Sequence, residues 1–446
     1  MIAVRSATGI ILACLCLASP SAIADVLYVN GSCGDDAWTG LSPDCIGPDG
    51  PKRTIRAGMS AGRTGDTVLV ADGVYFEGGL FFPGGENFAV RSQNGPENCI
   101  IDGRDRSLAF WLVDDETPQA VIEGFTITNC RGEWGGAVYC HHDGAPTFIN
   151  CAFTNNTAGW GGAIGCDAGG SPTFIDCLFE GNTANRGGGG AIIGDTDGPG
   201  PRLINCTVRN NAALSNGGGI SIRTVGSEPM LINCNITNNT AGGNGGGVYS
   251  GGFRGGDLLI NCTVADNTAN GLGGGLFVDA GNGPVTATNT IFWGNSGTQI
   301  IGDAAAVTYS NVQGGFNGRG NIGDDPLFVD PASGNYHIAS GSPAINSGNP
   351  AFTPELGDTD IDGQKRVWNG RVDIGSDEFG SFAFGDLNCD GAIDALDIEP
   401  FLVALFEPGQ YPGRFPNCDI ELGDINADGA VDALDIEPFL DLLFGR

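Results

Sequence analysis

Two near-identical stretches, GDLNCDGAIDALDIEPFLVALF from Gly385 and GDINADGAVDALDIEPFLDLLF from Gly423, repeat one pattern of oxygen-bearing side chains. Counted from the first Asp, each has Asp at 1, Asn at 3, Asp at 5, Gly at 6, Asp at 9 and Asp at 12, with apolar Ile393 or Val431 at 8. Hard oxygen donors at this spacing, with a glycine for the tight turn and a main-chain carbonyl at position 7, make a calcium loop. The ligands expected in the first loop are Asp386, Asn388, Asp390, the Ala392 carbonyl and Asp397, with Asp394 acting through water. In the second they are Asp424, Asn426, Asp428, the Ala430 carbonyl and Asp435, with Asp432 through water. Four carboxylates per loop repel one another without a cation, so this segment is expected to need Ca2+ to fold.

Other chemistry-bearing residues are sparse. Trp134 and Trp160 lie one repeat apart and would stack; exposed, they would offer a sugar-binding shelf, and otherwise they cover a strand edge. Arg209, Arg223 and Arg254 read as solvated surface residues with no acidic motif beside them, and Asp195 and Asp197 as turn residues. His141 and His142, between Cys140 and Asp143, read as a loop with no second ligand cluster in their column. Asp358, Asp360 and Asp362 form D-x-D-x-D-G, a candidate third calcium loop with a poor ligand, Asn369, at position 12. No catalytic residue is assigned.

A tandem repeat must position these residues. PTFINCAFTNNTAGWGGAI, PTFIDCLFEGNTANRGGGGAI, PRLINCTVRNNAALSNGGGI, PMLINCNITNNTAGGNGGGV and DLLINCTVADNTANGLGGGL follow one another at 26 to 29 residues. Three columns are spaced by two, which predicts one shared strand face: Ile149, Ile175, Ile204, Ile232, Ile260; Cys151, Cys177, Cys206, Cys234, Cys262; and Phe153, Phe179, Val208, Ile236, Val264. A unit this short cannot bury that face alone, so copies must stack, which gives a right-handed parallel β-helix. Asn156, Asn182, Asn211, Asn239, Asn267 and Asn295 are expected to ladder from coil to coil in a left-handed turn. The pairs Gly135-Gly136, Gly161-Gly162, Gly218-Gly219, Gly246-Gly247 and Gly274-Gly275 mark a sharp corner. The cysteine column reads as a buried thiol stack, because rungs about 4.8 Å apart exceed disulfide reach.

Composition bounds the rest. Gly is 77 of 446 residues, and 52 acidic against 20 basic residues give a net charge of −32, which excludes nucleic-acid and anionic-membrane partners. Residues 1–24 read as a signal peptide, with Arg5, an apolar run from Gly9 to Ala18 and the cleavage site Ala22-Ile23-Ala24. The mature chain is therefore expected to be secreted or at the cell surface, with no transmembrane segment and monomeric. In that compartment Cys33 with Cys45, and Cys389 with Cys418, are candidate disulfides. The domains expected are the β-helix with its N-terminal cap and closing region, 25–379, and an α-helical calcium-loop module, 385–446.

Phe153 to Asn156 with Gly161-Gly162-Ala163-Ile164 resembles the polymorphic outer-membrane-protein repeat of β-helical surface proteins. LYVNGSCGDDAWTGLSPD…GDTVLVADGVYFE resembles the N-terminal cap of pectate-lyase-like β-helices, and DPLFVDPASGNYHIASGSPAINSGNP…DIDGQKRVWNGRVDIGSDEF is similar to the closing region of exported bacterial β-helix proteins. The doubled loops, each followed by a single helix carrying Phe401, Leu402, Leu405, Phe406 or Phe439, Leu440, Leu443, Phe444, resemble the dockerin type I module, an EF-hand-like unit that docks secreted carbohydrate-active proteins onto cohesins. The resemblance implies a cohesin-like partner reading Ala395-Leu396 and Ala433-Leu434, though these pairs could equally be packed inside. It also implies a protein that binds or acts on polysaccharide, as a lyase or glycoside hydrolase if an enzyme. The alternative is a non-catalytic, adhesin-like surface β-helix protein.

Overall fold

The computed structural model describes residues 24–446 except 114–115, 196–197, 224–229, 252–257, 281–284, 303–304, 355–357, 369, 381, 391, 416–417, 427 and 445–446. The signal segment before Ala24, and Asp197, Arg254 and Asn369, thus lie outside the described residues.

Each repeat folds as one turn of a parallel coil with up to four short strands. The coil around residue 150 runs Thr147–Ile149, Ala152–Thr154, Thr157–Trp160 and Ile164–Asp167. Equivalent strands pair in parallel between coils, giving four stacked sheets of 11, 10, 6 and 8 strands, called the first to fourth in the order the chain visits them. Like residues meet in register: Phe148 with Phe174, Leu203 with Leu231 and Leu231 with Leu259 in the first sheet, and Phe153 with Phe179 and Phe179 with Val208 in the second. These side chains fill the coil, where the Phe148 and Phe174 rings stack at 5.1 Å and Phe153 and Phe179 at 4.9 Å.

The isoleucine column departs from the expected face. Phe148, Phe174, Leu203, Leu231 and Leu259 point inward, while Ile149, Ile175, Ile204, Ile232 and Ile260 lie on the outer face. The reason is the residue after each isoleucine: Asn150, Asp176, Asn205, Asn233 and Asn261 have φ between 47° and 53°, a left-handed corner that breaks the period of two before the cysteine. Ile204, Ile232 and Ile260 are covered instead by Phe352 and Thr353 of the closing region.

The asparagine ladder runs through the interior. Each Nδ2 from Asn156 to Asn267 donates to Oδ1 of the next rung at 2.9–3.0 Å, and Asn295 ends the series on Gln299 Oε1 at 2.6 Å. The left-handed turn belongs to the residue before each ladder asparagine: Asn155, Gly181, Asn210, Asn238, Asp266 and Gly294 have φ of 54–67°. The glycine corner leaves no room for a Cβ, as expected, though in three of the five pairs the positive φ falls on the glycine before the pair. Positive φ falls on the leading glycine, such as Gly189 (φ 73°) or Gly217 (φ 70°), while the following Gly190 and Gly218 are required by the next coil, whose carbonyl oxygens would lie 1.9 and 2.3 Å from an added Cβ.

Among the described residues nine cysteines are free, and all are buried. The thiols of Cys177, Cys206 and Cys234 face backbone carbonyls of the preceding coil at 3.5–3.6 Å, and burial pushes their pKa values well above the usual thiol range. Neutral, enclosed thiols are poor nucleophiles. A chain starting at Asp25 is therefore expected to give no reaction with a thiol reagent when native and nine thiols on denaturation; prompt labelling of the native protein would contradict this stack.

At the start, helix α1 (Ile55–Ala61) is capped by the Thr54 side chain and packs on Val29 and Val68, where Gly58 allows the approach. Cys33 is bridged to Cys45 beside it. After the last coil the chain turns back along the outside of the first and second sheets. Thr359 meets Asn205 and Asn233, Ser376 meets Asn235 and Thr263, and Tyr336 donates to Asp266 at 2.8 Å. The closing region is thus a strap over the coils.

Beyond it lie α2 (Ile398–Phe406), α3 (Tyr411–Arg414) and α4 (Ile436–Phe444), with a separate set of buried residues that includes Leu387, Phe401, Tyr411, Leu422 and Phe439. Phe401 and Phe439 stack at 4.2 Å, and Cys389 is bridged to Cys418. The expected apolar helix faces are only half right. Phe401 and Phe439 are buried, but Leu402, Phe406, Leu440 and Phe444 are exposed, because Val403 and Ala404 complete the inner face of α2.

Candidate functional site

The fourth sheet carries the chemistry. Its outward row reads Trp111, Tyr139, Gly165, Ile193, Ser221, Tyr249, Phe277 and Ile301, in register coil after coil; Trp111 is exposed and Tyr139, Phe277 and Ile301 are half-buried, while Gly165, Ile193, Ser221 and Tyr249 between them are buried. Two residues further along each strand direction stand His141, Asp167, Asp195, Arg223 and Asp279. The chain leaving this sheet crosses to the first sheet through connections such as 141–146 and 168–172, longer than the corner 150–151 between the first and second sheets. A strip of aromatic and ionisable side chains bordered by loops is what a groove for an extended ligand requires.

One end of the strip is a connected cluster. Asp167 accepts the Tyr139 hydroxyl with both carboxylate oxygens at 3.0 Å and faces His141 Nε2 at 3.3 Å. Trp111, 46% exposed, lies 5.1 Å from the Tyr139 ring. Burial and the Asp167 carboxylate raise the Tyr139 pKa, so the phenol stays a donor. Asp195, in register with Asp167, stands on the next rung and lies 3.8 Å from Arg223 Nη1. Further along, Tyr249 repeats the tyrosine-to-next-rung motif by donating to Asp279 at 2.7 Å and stacks on Phe277 at 5.7 Å.

These residues change several sequence expectations. Asp195 ends a strand rather than sitting in a turn, and Arg223 is not without an acid beside it. Arg209 likewise forms a two-point pair with Glu180, at 3.0 Å for each bond. In each case the partner is one coil away, which a reading along the chain overlooks. His141 gains Asp167 in the same manner. Trp111, Tyr139, Asp167, Tyr249 and Asp279 were absent from the expected site, although Asp167, Asp195, Arg223 and Asp279 fall on one 28-residue period and could have been aligned. Trp134 and Trp160 do stack, at 5.2 Å and 17°, but half-buried on the third sheet, with Trp160 lying over Gly187 and the Trp134 backbone against Gly165.

In the acidic loops, the position-12 carboxylates are fully buried and turned into the loop. Asp397 accepts from Asn388 N and Asp394 N at 2.9 Å, and Asp435 from Ile425 N, Asn426 N and Asp432 N at 2.8–3.0 Å. Asp386 and Asp424 are also buried. The side-chain donors are all hard oxygens, which suits calcium and no softer ion. The equivalent Ala395-Leu396 and Ala433-Leu434 pairs are exposed.

D-x-D-x-D-G closes a structural turn instead. Asp360 is buried and accepts from Asp362 N, Gln364 N and Glu378 N at 2.8–3.1 Å. Beneath it the buried Arg366 guanidinium bonds the Ser376 carbonyl at 3.1 Å, and burial lifts Asp360 to about 7 and Glu378 to about 8.

The fold makes the chain a right-handed parallel β-helix protein. The family described as right-handed beta helix region matches residues 136–320. Among solved structures the chain is similar to pectate lyase Pel9A, at 15% identity over 79% of this chain and 96% of that one, with a TM-score of 0.46. It is also similar to a rhamnogalacturonan lyase, at 14% identity over 69% and 91% with a TM-score of 0.41, and to XylC in complex with xylose, at 10% over 68% and 87% with a TM-score of 0.43. No curated protein matches the sequence. Among the described residues no helix is long and apolar enough to cross a membrane.

Proposed function

We propose that the protein is secreted and binds polysaccharide along the outer face of the fourth sheet. The observation that carries this reading is the Trp111, Tyr139, His141 and Asp167 cluster opening onto a register-aligned strip. Aromatic faces can cover the apolar faces of sugar rings, while the hydroxyl, imidazole and carboxylates bond sugar hydroxyls. Parallel rungs about 4.8 Å apart set a regular pitch along which an extended chain can lie.

A second reading, turnover of that polysaccharide, is favoured by Asp167 and Asp195 on adjacent rungs, close to the roughly 5 Å carboxyl spacing of retaining glycosidases. Beside them His141, oriented by Asp167, is placed to move a proton. Asp167→Asn is expected to weaken retention on immobilised acidic polysaccharides at least about tenfold by removing a charged acceptor. Release of unsaturated or reducing ends, abolished in the same variant, would add the enzyme reading. Unchanged retention by Asp167→Asn and by Trp111→Ala would overturn the site, and retention without product would leave an adhesin-like binder.

The C-terminal segment is read as a dockerin-like attachment module that holds two Ca2+ ions in the loops from Asp386 and Asp424. The exposed Ala395-Leu396 and Ala433-Leu434 pairs support a cohesin-like partner, and the cleavage site before Asp25 supports export. No second copy of the chain enters this reading, which takes the protein as a monomer.

A further inference from the structure

The strap over the coils contains a second constellation, which shares no residue with the strip or the acidic loops. Three of its segments converge: the strand Asn335–Ile338 with His337, the turn ending in Asp362, and the loop that carries Asp377. One donor atom from each of His337, Asp362 and Asp377 lies within 4.8 Å of the other two, the only such group of His, Cys, Asp or Glu among the described residues. His337 Nε2 stands 2.7 Å from Asp362 Oδ2. Asp377 is 7% exposed, and its Oδ2 accepts from Ile338 N at 2.8 Å.

The imidazole is held in one orientation. Asn335 Oδ1 accepts the His337 backbone N–H at 3.1 Å and lies 2.5 Å from His337 Nδ1. An atom that accepts from an amide is the oxygen, so Nδ1 must carry the hydrogen that faces it. Nε2 is then the ring atom that faces the Asp362 and Asp377 carboxylates, and either a proton on Nε2 or a metal ion must lie between these acceptors. A second-shell bond to Nδ1 that fixes Nε2 as the ligand atom is the usual arrangement at metal-bound histidines.

We propose that His337 Nε2, Asp362 and Asp377 bind one divalent first-row transition-metal ion of the zinc type. One imidazole and two carboxylates suit such an ion better than calcium, which takes oxygen donors alone. The 40% and 37% exposure of the His337 and Asp362 side chains leaves room for water to complete the coordination. Bound there, the ion cross-links the three segments of the strap, and so fastens the strap whose residues Tyr336 and Ser376 grip the coils.

The full-length protein, stripped of transition metals and saturated with Ca2+ to occupy the acidic loops, is titrated with Co2+ as a visible probe. One equivalent is expected, with d–d absorption and competition by Zn2+. His337→Gln and Asp362→Asn, both at partly exposed positions, are each expected to lower the affinity at least about tenfold, with the Ca2+ stoichiometry unchanged. Absence of a Co2+ band, or equal binding by both variants, would overturn the site and leave His337 and Asp362 as a proton-bridged pair. Neither result bears on polysaccharide retention.

Discussion

Asn239→Leu is expected to destabilise the coil by about 3–5 kcal/mol, read as a loss of midpoint in urea unfolding. The Asn239 amide occupies a fully enclosed position and makes a complete set of bonds. Its Oδ1 accepts from Asn211 N and Asn211 Nδ2, and its Nδ2 donates to Val208 O and Asn267 Oδ1. Leucine is of similar size but strands the Asn211 N–H and the Val208 carbonyl on the preceding rung and takes one of its two donors from Asn267 Oδ1 on the next, each lost partner costing about 1–3 kcal/mol when buried. Asn239→Asp should be as harmful, because a carboxylate cannot donate and would face Asn267 Oδ1. Asn270→Ala, exposed on the next coil, serves as the control and should change little. Since solenoid coils depend on their neighbours, the loss should spread as early exchange of amides in adjacent rungs. A shift below about 1 kcal/mol would mean that the ladder is ornamental and that the phenylalanine and leucine columns hold the coil without it.

The same ladder marks how far the fold could be read from sequence. Repetition at a fixed period was legible because only stacking can bury so short a unit, and the Phe153 to Val264 column faces inward as a period of two requires. The Ile149 column failed because strand periodicity holds only within one strand, and Asn150 ends the strand between Ile149 and Cys151. A corner of asparagine or aspartate and an asparagine ladder lie six residues apart in every copy, and sequence alone does not tell which one takes the left-handed backbone. It is the corner residue, and also the residue before each ladder asparagine; the ladder residue must spend its amide inside.

The candidate strip was harder to read for a different reason. Tyr139 and Asp167 are neighbours only across coils, as are Asp195 and Arg223, so any motif sought along the chain passes over them. His337 and Asp377 were missed likewise: the D-x-D-x-D-G signal drew attention to Asp360, which turned out to be the inward-facing brace of the turn, while Asp362 faces a histidine from a distant strand. The acidic loops stood out because their donors are contiguous.

Calcium removal is expected to have the other large effect. At a free Ca2+ concentration about 100 times the dissociation constant, each bound ion would add about 2.7 kcal/mol, so two ions would add about 5 kcal/mol to the C-terminal segment. Asp397 and Asp435 are buried against loop amides, and Asp386 and Asp424 are buried beside them. With no cation, those loops must hold like charges together, and the energy gained by stacking Phe401 on Phe439 has to offset that repulsion. Isothermal titration of the intact protein should find two Ca2+ ions, and Asp397→Ala and Asp435→Ala should each remove one. A calcium-selective chelator should lower the melting temperature of this segment and open the bonds around Tyr411 and Leu387 to proteolysis, with the Cys389–Cys418 bridge still joining the fragments. The coils, whose interior is apolar and amide-bonded, should melt at an unchanged temperature. Equal melting of the C-terminal segment with and without chelator would remove calcium from the account, and with it the physical basis for reading the two loops as an attachment module.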